Sequence, residues 1–278
     1  MLKLSTLALN KEWMDVKTAI RHGDAAALRQ LLAEDSSRAN ELIRWGEIKP
    51  CFTHPLHFIS DMLFEGTLSQ GKEILLVDVL LDAGADLDYQ RSREDGKKSD
   101  TPLIGAASLG AEDVGLRLLA AGAKPDLRGL FGETALHWAS LLGEDRLVAE
   151  LIGGSNVNLR DAKYNSPPLG WAIHGWCEPL AGNHGRQREV VTLLVAAGAS
   201  VEPEWLEPER VCRSTNARGA GPRVRSSGVL VHWLAFGAKP LTGKSLRSSV
   251  SASTLRDTQV LRKVCRRCAI SDFLNNAR

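Results

Sequence analysis

Apolar residues between positions 134 and 152 recur every three or four residues, in two short runs separated by Gly143. This spacing predicts one helix over 134–142 and a second over 145–152, each with a narrow apolar stripe. A glycine between the runs favours a tight turn, because glycine tolerates the left-handed backbone that ends many helices. Two such short helices cannot form a core alone, so they need similar pairs on either side.

The same pattern occurs at a fixed distance before and after this helix pair. Thr134 stands 33 residues after Thr101, which begins Thr-Pro-Leu-Ile, and 33 residues before Pro167, which begins Pro-Pro-Leu-Gly. Gly110 and Gly143 each follow their threonine by nine residues. This period, with Thr-Pro-Leu at the start of the first helix, resembles the ankyrin repeat. The resemblance implies an all-α solenoid of stacked helix-turn-helix units with hairpin-like turns.

About five repeats fit this register, and together they span residues 12–206. An N-terminal capping repeat is predicted over 14–53, with helices near 16–21 and 25–34 and a polar outer face. Ile104 and Gly170 replace the histidine of the family motif, which affects local turns but not the register. The repeats after the capping repeat are predicted at 54–100, 101–133, 134–166 and 167–206.

The second and fifth repeats each contain nine extra residues between their helices, within 62–71 and 177–187 respectively. A charged run at 91–98 is predicted to form an extended hairpin tip. Because repeats in a solenoid share one orientation, these insertions are expected to project from one edge.

Charge is distributed unequally along the chain, although the net charge is only +2. Residues 207–278 contain 14 Lys and Arg but 4 Asp and Glu, whereas residues 1–206 contain 21 and 29. The sequence therefore predicts a basic, Ser- and Arg-rich tail at 207–278, either a decayed sixth repeat or a disordered segment. Such a tail makes nucleic acid an alternative partner.

Other global features point to a cytoplasmic protein. No window approaches 18 uninterrupted apolar residues, so neither a signal peptide nor a membrane span is predicted. Five cysteines, an odd number, are consistent with reduced thiols. A monomer is expected.

The histidines are interpreted mainly as structural residues. In the family pattern, the histidine three residues after the repeat start hydrogen-bonds to a neighbouring turn, so the resemblance implies this role for His137 and for its counterpart His57. His54 and His57 lie three residues apart, and His174 and His184 flank the fifth-repeat insertion. No carboxylate or cysteine accompanies either pair at a metal-ligand spacing, so no metal is predicted.

Two further motifs are incomplete. The segment from Gly237 to Ser245 has five residues between its glycines, where a phosphate-binding loop needs four. Cys265 and Cys268 could begin a zinc or redox site, but a second close pair is missing. No catalytic residue or cofactor is therefore predicted.

The functional prediction is based on the residues expected at the surface. In the ankyrin family, the turn tips and the inner face of the first helices form a concave wall that usually binds proteins. Here these positions are more apolar and aromatic than a solvent-facing wall needs. Trp138 and Trp171 share one repeat position and are predicted to pack on each other. The predicted partner-binding residues are Leu109, Phe131, Leu141, Leu142, Tyr164, His174 and Trp176.

The leading hypothesis is a non-catalytic module that binds an unidentified protein through the concave face and turn tips. The first alternative is a nucleic-acid-associated adaptor that uses the basic tail. A third hypothesis is an enzyme that uses His174, Cys177 and His184 on the fifth-repeat insertion.

Overall fold

A computed structural model describes residues 14–45, 51–90, 98–177, 186–202 and 205. The described residues divide into two compact units, of which the first consists of 14–45 and 52–130 and the second mainly of the described residues from Phe131 onward. Within each unit, pairs of short helices follow one another, so the all-α prediction is confirmed. None of the described helices is long and apolar enough to cross a membrane.

The described part of the first unit contains three helix pairs. The predicted helices of the capping repeat are confirmed as α1 and α2, and each begins after an aspartate whose side chain accepts a backbone N–H. A 3-10 turn (Ser36–Ala39) and a small two-stranded sheet follow α2. The elements are α1 (Val16–His22), α2 (Ala25–Glu34), β1 (Ile43–Trp45), β2 (Cys51–Thr53), α3 (Pro55–Phe64), α4 (Glu73–Asp82), α5 (Pro102–Ser108) and α6 (Glu112–Ala120).

The described part of the second unit contains two helix pairs. Thr134 precedes α7 as its N-cap, and Gly143 ends α7 at a φ of 75°. This positive φ is the left-handed conformation that glycine was predicted to supply. The elements are α7 (Ala135–Leu142), α8 (Asp145–Ile152), α9 (Pro168–Cys177) and α10 (Gln187–Ala196).

One leucine position forms the centre of the core in both units. Leu56 and Leu103 of the first unit and Leu136 and Leu169 of the second are each at most 1% exposed. Full burial of a leucine stabilises a protein by roughly 1.5–3 kcal/mol. Repetition of this position is therefore a major source of stability for helices that are individually too short to fold.

The insertion of the second repeat packs against the first repeat. After Phe64 the chain turns back, and Leu68 is only 3% exposed. The Lys72 Nζ donates a hydrogen bond to the carbonyl oxygen of His22 at 3.3 Å. Leu68 and Lys72 both lie against Gly23, in the turn between α1 and α2. The insertion therefore covers this turn, whereas sequence reasoning expected it to project from an edge.

The start of α10 makes a similar contact in the second unit. The backbone N–H of Arg186 donates to the carbonyl oxygen of Gly143 at 3.0 Å, and the Gln187 side chain donates to that of Leu141 at 3.3 Å. The Arg186 guanidinium also pairs with Asp145. These bonds attach the beginning of α10 to the end of α7 and the turn that follows it.

Several predicted segments lie outside the described residues. They are 178–185 of the fifth-repeat insertion, 91–97 of the charged hairpin tip, and all of the tail at 207–278. The predictions made for them stay predictions.

Gly175→Ala should destabilise the second unit. A Cβ at this position of α9 would lie 2.1 Å from the backbone oxygen of Leu141, far inside van der Waals contact. We expect a loss of about 1–3 kcal/mol in the free energy of unfolding, measured by urea titration of the full chain.

Gly153→Ala is the matched control for this substitution. Gly153 has an ordinary helical φ of −64°, and the nearest atom to an added Cβ is 3.8 Å away. Its substitution should leave stability unchanged or raise it by a few tenths of a kcal/mol. Equal effects of the two substitutions would refute the close approach of α9 to α7.

Candidate functional site

The turn that precedes α9 is built around the buried carboxylate of Asp161, which is 2% exposed. Its oxygens accept hydrogen bonds from the backbone N–H groups of Lys163, Tyr164 and Ser166. A fourth donor is the indole Nε1 of Trp171, at 3.1 Å. These donors compensate for the loss of water around the carboxylate, and they attach the turn to α9.

Glu133 has a comparable role in the preceding turn and is fully buried. It accepts the backbone N–H of Phe131 at 2.7 Å and the indole Nε1–H of Trp138 at 3.2 Å. The two turns are joined directly, because the N–H of Ala162 donates to the carbonyl oxygen of Phe131 at 2.9 Å. Gly132 permits this approach, since its φ is 75° and an added Cβ would lie 2.8 Å from the Cβ of Ala162.

An aromatic cluster lies beside these turns. The ring centroids of Trp138 and Trp171 are 5.0 Å apart at an interplanar angle of 80°, and those of Tyr164 and Trp171 are 5.9 Å apart at 68°. Such edge-to-face contacts stabilise beyond their buried area. The rings pack on Leu141 and Leu142. The prediction that the two tryptophans pack on each other is therefore confirmed.

A lysine lies on the outer side of this cluster. The Nζ of Lys163 is 4.2 Å from the ring centroid of Phe131 and 5.0 Å from that of Tyr164, within the range of cation–π attraction. Lys163 is exposed, whereas Phe131 and Tyr164 are half-buried. We call these three residues the tip surface.

Comparison with known proteins identifies the repeats. A family model of ankyrin repeats, in three copies, matches residues 67–161. This part of the chain, about a third of it, consists of ankyrin repeats. Ankyrin repeats are generally protein–protein interaction modules, and domains built from them are typically non-enzymatic. No curated protein gives a significant match to the chain.

The predicted partner-binding residues differ in their exposure. Leu141, Leu142 and His174 are buried, with exposed fractions of 2%, 8% and 5%. They expose almost no surface in this structure, and Leu141 and Leu142 pack within the aromatic cluster. The remaining four residues are half-buried and keep the prediction of partner contact: Leu109, Phe131, Tyr164 and Trp176.

His137 has the structural role that the family resemblance implied. Its Nδ1 accepts the backbone N–H of Thr134 at 3.1 Å, and its Nε2–H donates to the carbonyl oxygen of Leu159 at 3.1 Å. This assignment of the proton follows from the partners, because a backbone N–H can only donate and a carbonyl can only accept. His137 therefore joins the start of α7 to the turn before α9.

The histidines of α3 are also part of the scaffold of the first unit. His54 caps α3, and its Nε2–H donates to the Oδ1 of Asn40 at 3.1 Å. His57 is buried, with its Nε2 3.9 Å from the Asp61 Oδ1, and its ring fills the space above Gly105. Burial raises the pKa of the Asp61 carboxyl, and the negative charge of Glu65 acts in the same direction.

His174 is buried without a hydrogen bond at Nδ1 to any described residue. Burial lowers the pKa of His174 to about 4, so the ring is neutral at neutral pH. The enzyme hypothesis paired this ring with His184 and the Cys177 thiol, which lie outside what the structure describes. Among the described residues, no group of three or more His, Cys, Asp or Glu could hold a metal ion.

Sequence reasoning missed Glu133 and Asp161 as organisers of this site. A partial signal exists for Asp161, because aspartate often accepts backbone N–H groups from residues two or more positions further on in a turn. The indole partners lie five and ten residues away from the two carboxylates, at distances that no turn motif specifies.

The stability of the chain should fall between pH 7.5 and pH 5 partly because of His174. The unfolded ring, with a pKa near 6.5, binds a proton over this range, whereas the buried ring does not until about pH 4. Protonation of the unfolded state therefore lowers the free energy of unfolding as pH falls, by about 2 kcal/mol from this group at pH 5.

This contribution can be isolated with His174→Gln, compared with His22→Gln at an exposed position on α1. Urea titrations at pH 7.5 and pH 5 should show that the free energy of unfolding falls less between these pH values in the His174 variant than in the unmodified chain. The His22 variant should resemble the unmodified chain. A loss in the His174 variant as large as that of the unmodified chain would contradict the burial argument.

Proposed function

We propose that this chain is a non-catalytic adaptor that binds a protein partner through the tip surface of its second unit. The observation that supports this most strongly is the half-buried pair Phe131 and Tyr164, which lies with Lys163 on two turns. Buried carboxylates hold the backbones of these turns. Aromatic side chains at rigid positions are the usual anchors of binding hot spots. Trp176, half-buried on α9, is proposed to extend the same contact.

The rigidity of the turns supports a binding role on energetic grounds. Ordering a mobile loop upon binding costs free energy that reduces affinity. Here the Asp161 and Glu133 carboxylates, with the bond from Ala162 to Phe131, already fix the backbone of both turns. A partner would therefore meet a surface that needs little further ordering.

Phe131→Ala should weaken partner binding without unfolding the repeats. We expect a loss of affinity of tenfold or more, as is typical for an aromatic hot-spot residue, because the half-buried ring would supply apolar contact area. The full-length chain is used as bait to isolate a partner, and the dissociation constant is then measured with that partner purified. Thermal unfolding of the variant verifies that the fold is kept.

Leu75→Ala is the control, because this α4 residue is also a large apolar side chain and is 51% exposed. The control should retain the partner as well as the unmodified chain does. If the Phe131 variant retains it equally well, the tip surface is not the binding site.

The basic tail supports a second candidate function, association with nucleic acid. Its excess of ten positive charges within 72 residues would contact phosphate groups regardless of base sequence. This function is independent of the tip surface and could coexist with protein binding.

Binding of the full-length chain to a mixed-sequence DNA duplex should weaken steeply with salt. Changing Arg262, Lys263, Arg266 and Arg267 to Gln should reduce the slope of log affinity against log salt by roughly one for each phosphate that the variant no longer neutralises. Fluorescence anisotropy at several salt concentrations measures the slope, with Phe131→Ala as the control that should not change it. An unchanged slope in the tail variant would exclude these four residues as phosphate ligands.

A further inference from the structure

The exposed ammonium of Lys163 points to the chemistry of the partner. We infer that the tip surface recognises a single carboxylate side chain, flanked by apolar residues, in an extended segment of the partner protein. This inference rests on the proposed function and specifies what that surface binds.

Lys163 is a positioned cation that none of the described carboxylates neutralises. Its Nζ is held 4.2 Å from the Phe131 centroid and 5.0 Å from the Tyr164 centroid, and no carboxylate of the described residues lies within ion-pair distance. Most surface ion pairs contribute little because two long side chains must be ordered. Here the rings already restrict the lysine side chain. The entropic cost of the ion pair would therefore come mainly from ordering the partner's carboxylate side chain.

The carboxylates that are closest in sequence are unable to serve as this anion. Glu133 is fully buried and Asp161 is 2% exposed. Their oxygens already accept hydrogen bonds from backbone and indole N–H groups. Arg160 provides a contrast, because its guanidinium pairs with Glu202 at 2.7 Å and donates to the Asn165 carbonyl oxygen. Lys163 is thus the cation of this turn that remains available.

The arrangement favours a carboxylate over a phosphate group. Phosphate recognition generally uses the two-pronged guanidinium of arginine or several cations together. The tip surface presents one ammonium, which matches one negative charge. Residues 131–206 also contain nine acidic and five basic side chains, a balance that repels a polyanion such as nucleic acid. A single carboxylate escapes most of this repulsion, because salt screens charges beyond about 8 Å at physiological ionic strength.

The Phe131 and Tyr164 rings indicate which side chains should flank the carboxylate in the ligand. Phe131 and Tyr164 are half-buried, so part of each ring is open to apolar side chains on either side of the carboxylate. The Tyr164 hydroxyl forms no hydrogen bond within the described part of the chain and can donate one to the ligand. A short peptide with leucine on both sides of a glutamate has this combination.

Three peptides of sequence Ser-Leu-X-Leu-Ser, blocked at both ends, test the inference, with X as Glu, Gln or Lys. Dissociation constants are measured on the full-length chain by NMR titration, following the Lys163 and Tyr164 backbone signals. We expect the Glu peptide to bind about fivefold more tightly than the Gln peptide, and the Lys peptide to bind most weakly. Raising the salt concentration should reduce the preference for Glu.

Lys163→Gln should abolish the difference between the Glu and Gln peptides, whereas Lys163→Arg, which keeps the charge and stacks on aromatic rings, should preserve it. Phe131→Ala should weaken all three peptides while keeping their order. Equal binding of the Glu and Gln peptides to the unmodified chain, or no binding at these signals, would overturn the inference. The proposed function would still stand if Phe131→Ala removed the protein partner, so the two failures can be distinguished.

Discussion

The fold depends on one constraint, which is that none of its short helices can bury an apolar stripe without a neighbour. The longest described helices contain ten residues, about the length at which an isolated helix is marginal in water. Stability must therefore come from contact between adjacent helix pairs, such as that between α3 and α5 or between α7 and α9. This explains why Gly105 and Gly175 lie where a neighbouring element approaches too closely for any side chain.

Packing between helix pairs leaves the connecting turns to be fixed by polar groups. Asp161 and Glu133 provide this in the second unit, because each buried carboxylate accepts backbone N–H groups of its own turn and an indole N–H of the next helix. The indoles contribute in two ways, since Trp138 and Trp171 fill space against Leu141 and also donate these hydrogen bonds. Hydrophobic packing and turn geometry are therefore coupled through the same side chains.

Features encoded by local sequence could be predicted, whereas features that depend on packing between helix pairs could not. Helix bounds are encoded locally, so the predicted helix at 145–152 is the one observed, and Gly143 ends the helix before it. The burial of Leu141, Leu142 and His174 was not predictable from repeat position. A repeat register indicates the direction of a side chain but not the size of its neighbours. Large indoles lie in this unit at the repeat position that Gly105 occupies in the first.

The tip surface shows why binding chemistry can vary in such a scaffold. The backbones of Phe131 and Lys163 are positioned by hydrogen bonds from their N–H groups to Glu133 and Asp161 respectively. Other side chains at these two positions would leave those hydrogen bonds intact. The turn geometry therefore fixes the position of a binding side chain but not its chemical identity. The fold itself does not require a lysine on two aromatic rings, so this group can change with the proposed ligand while the turns stay the same.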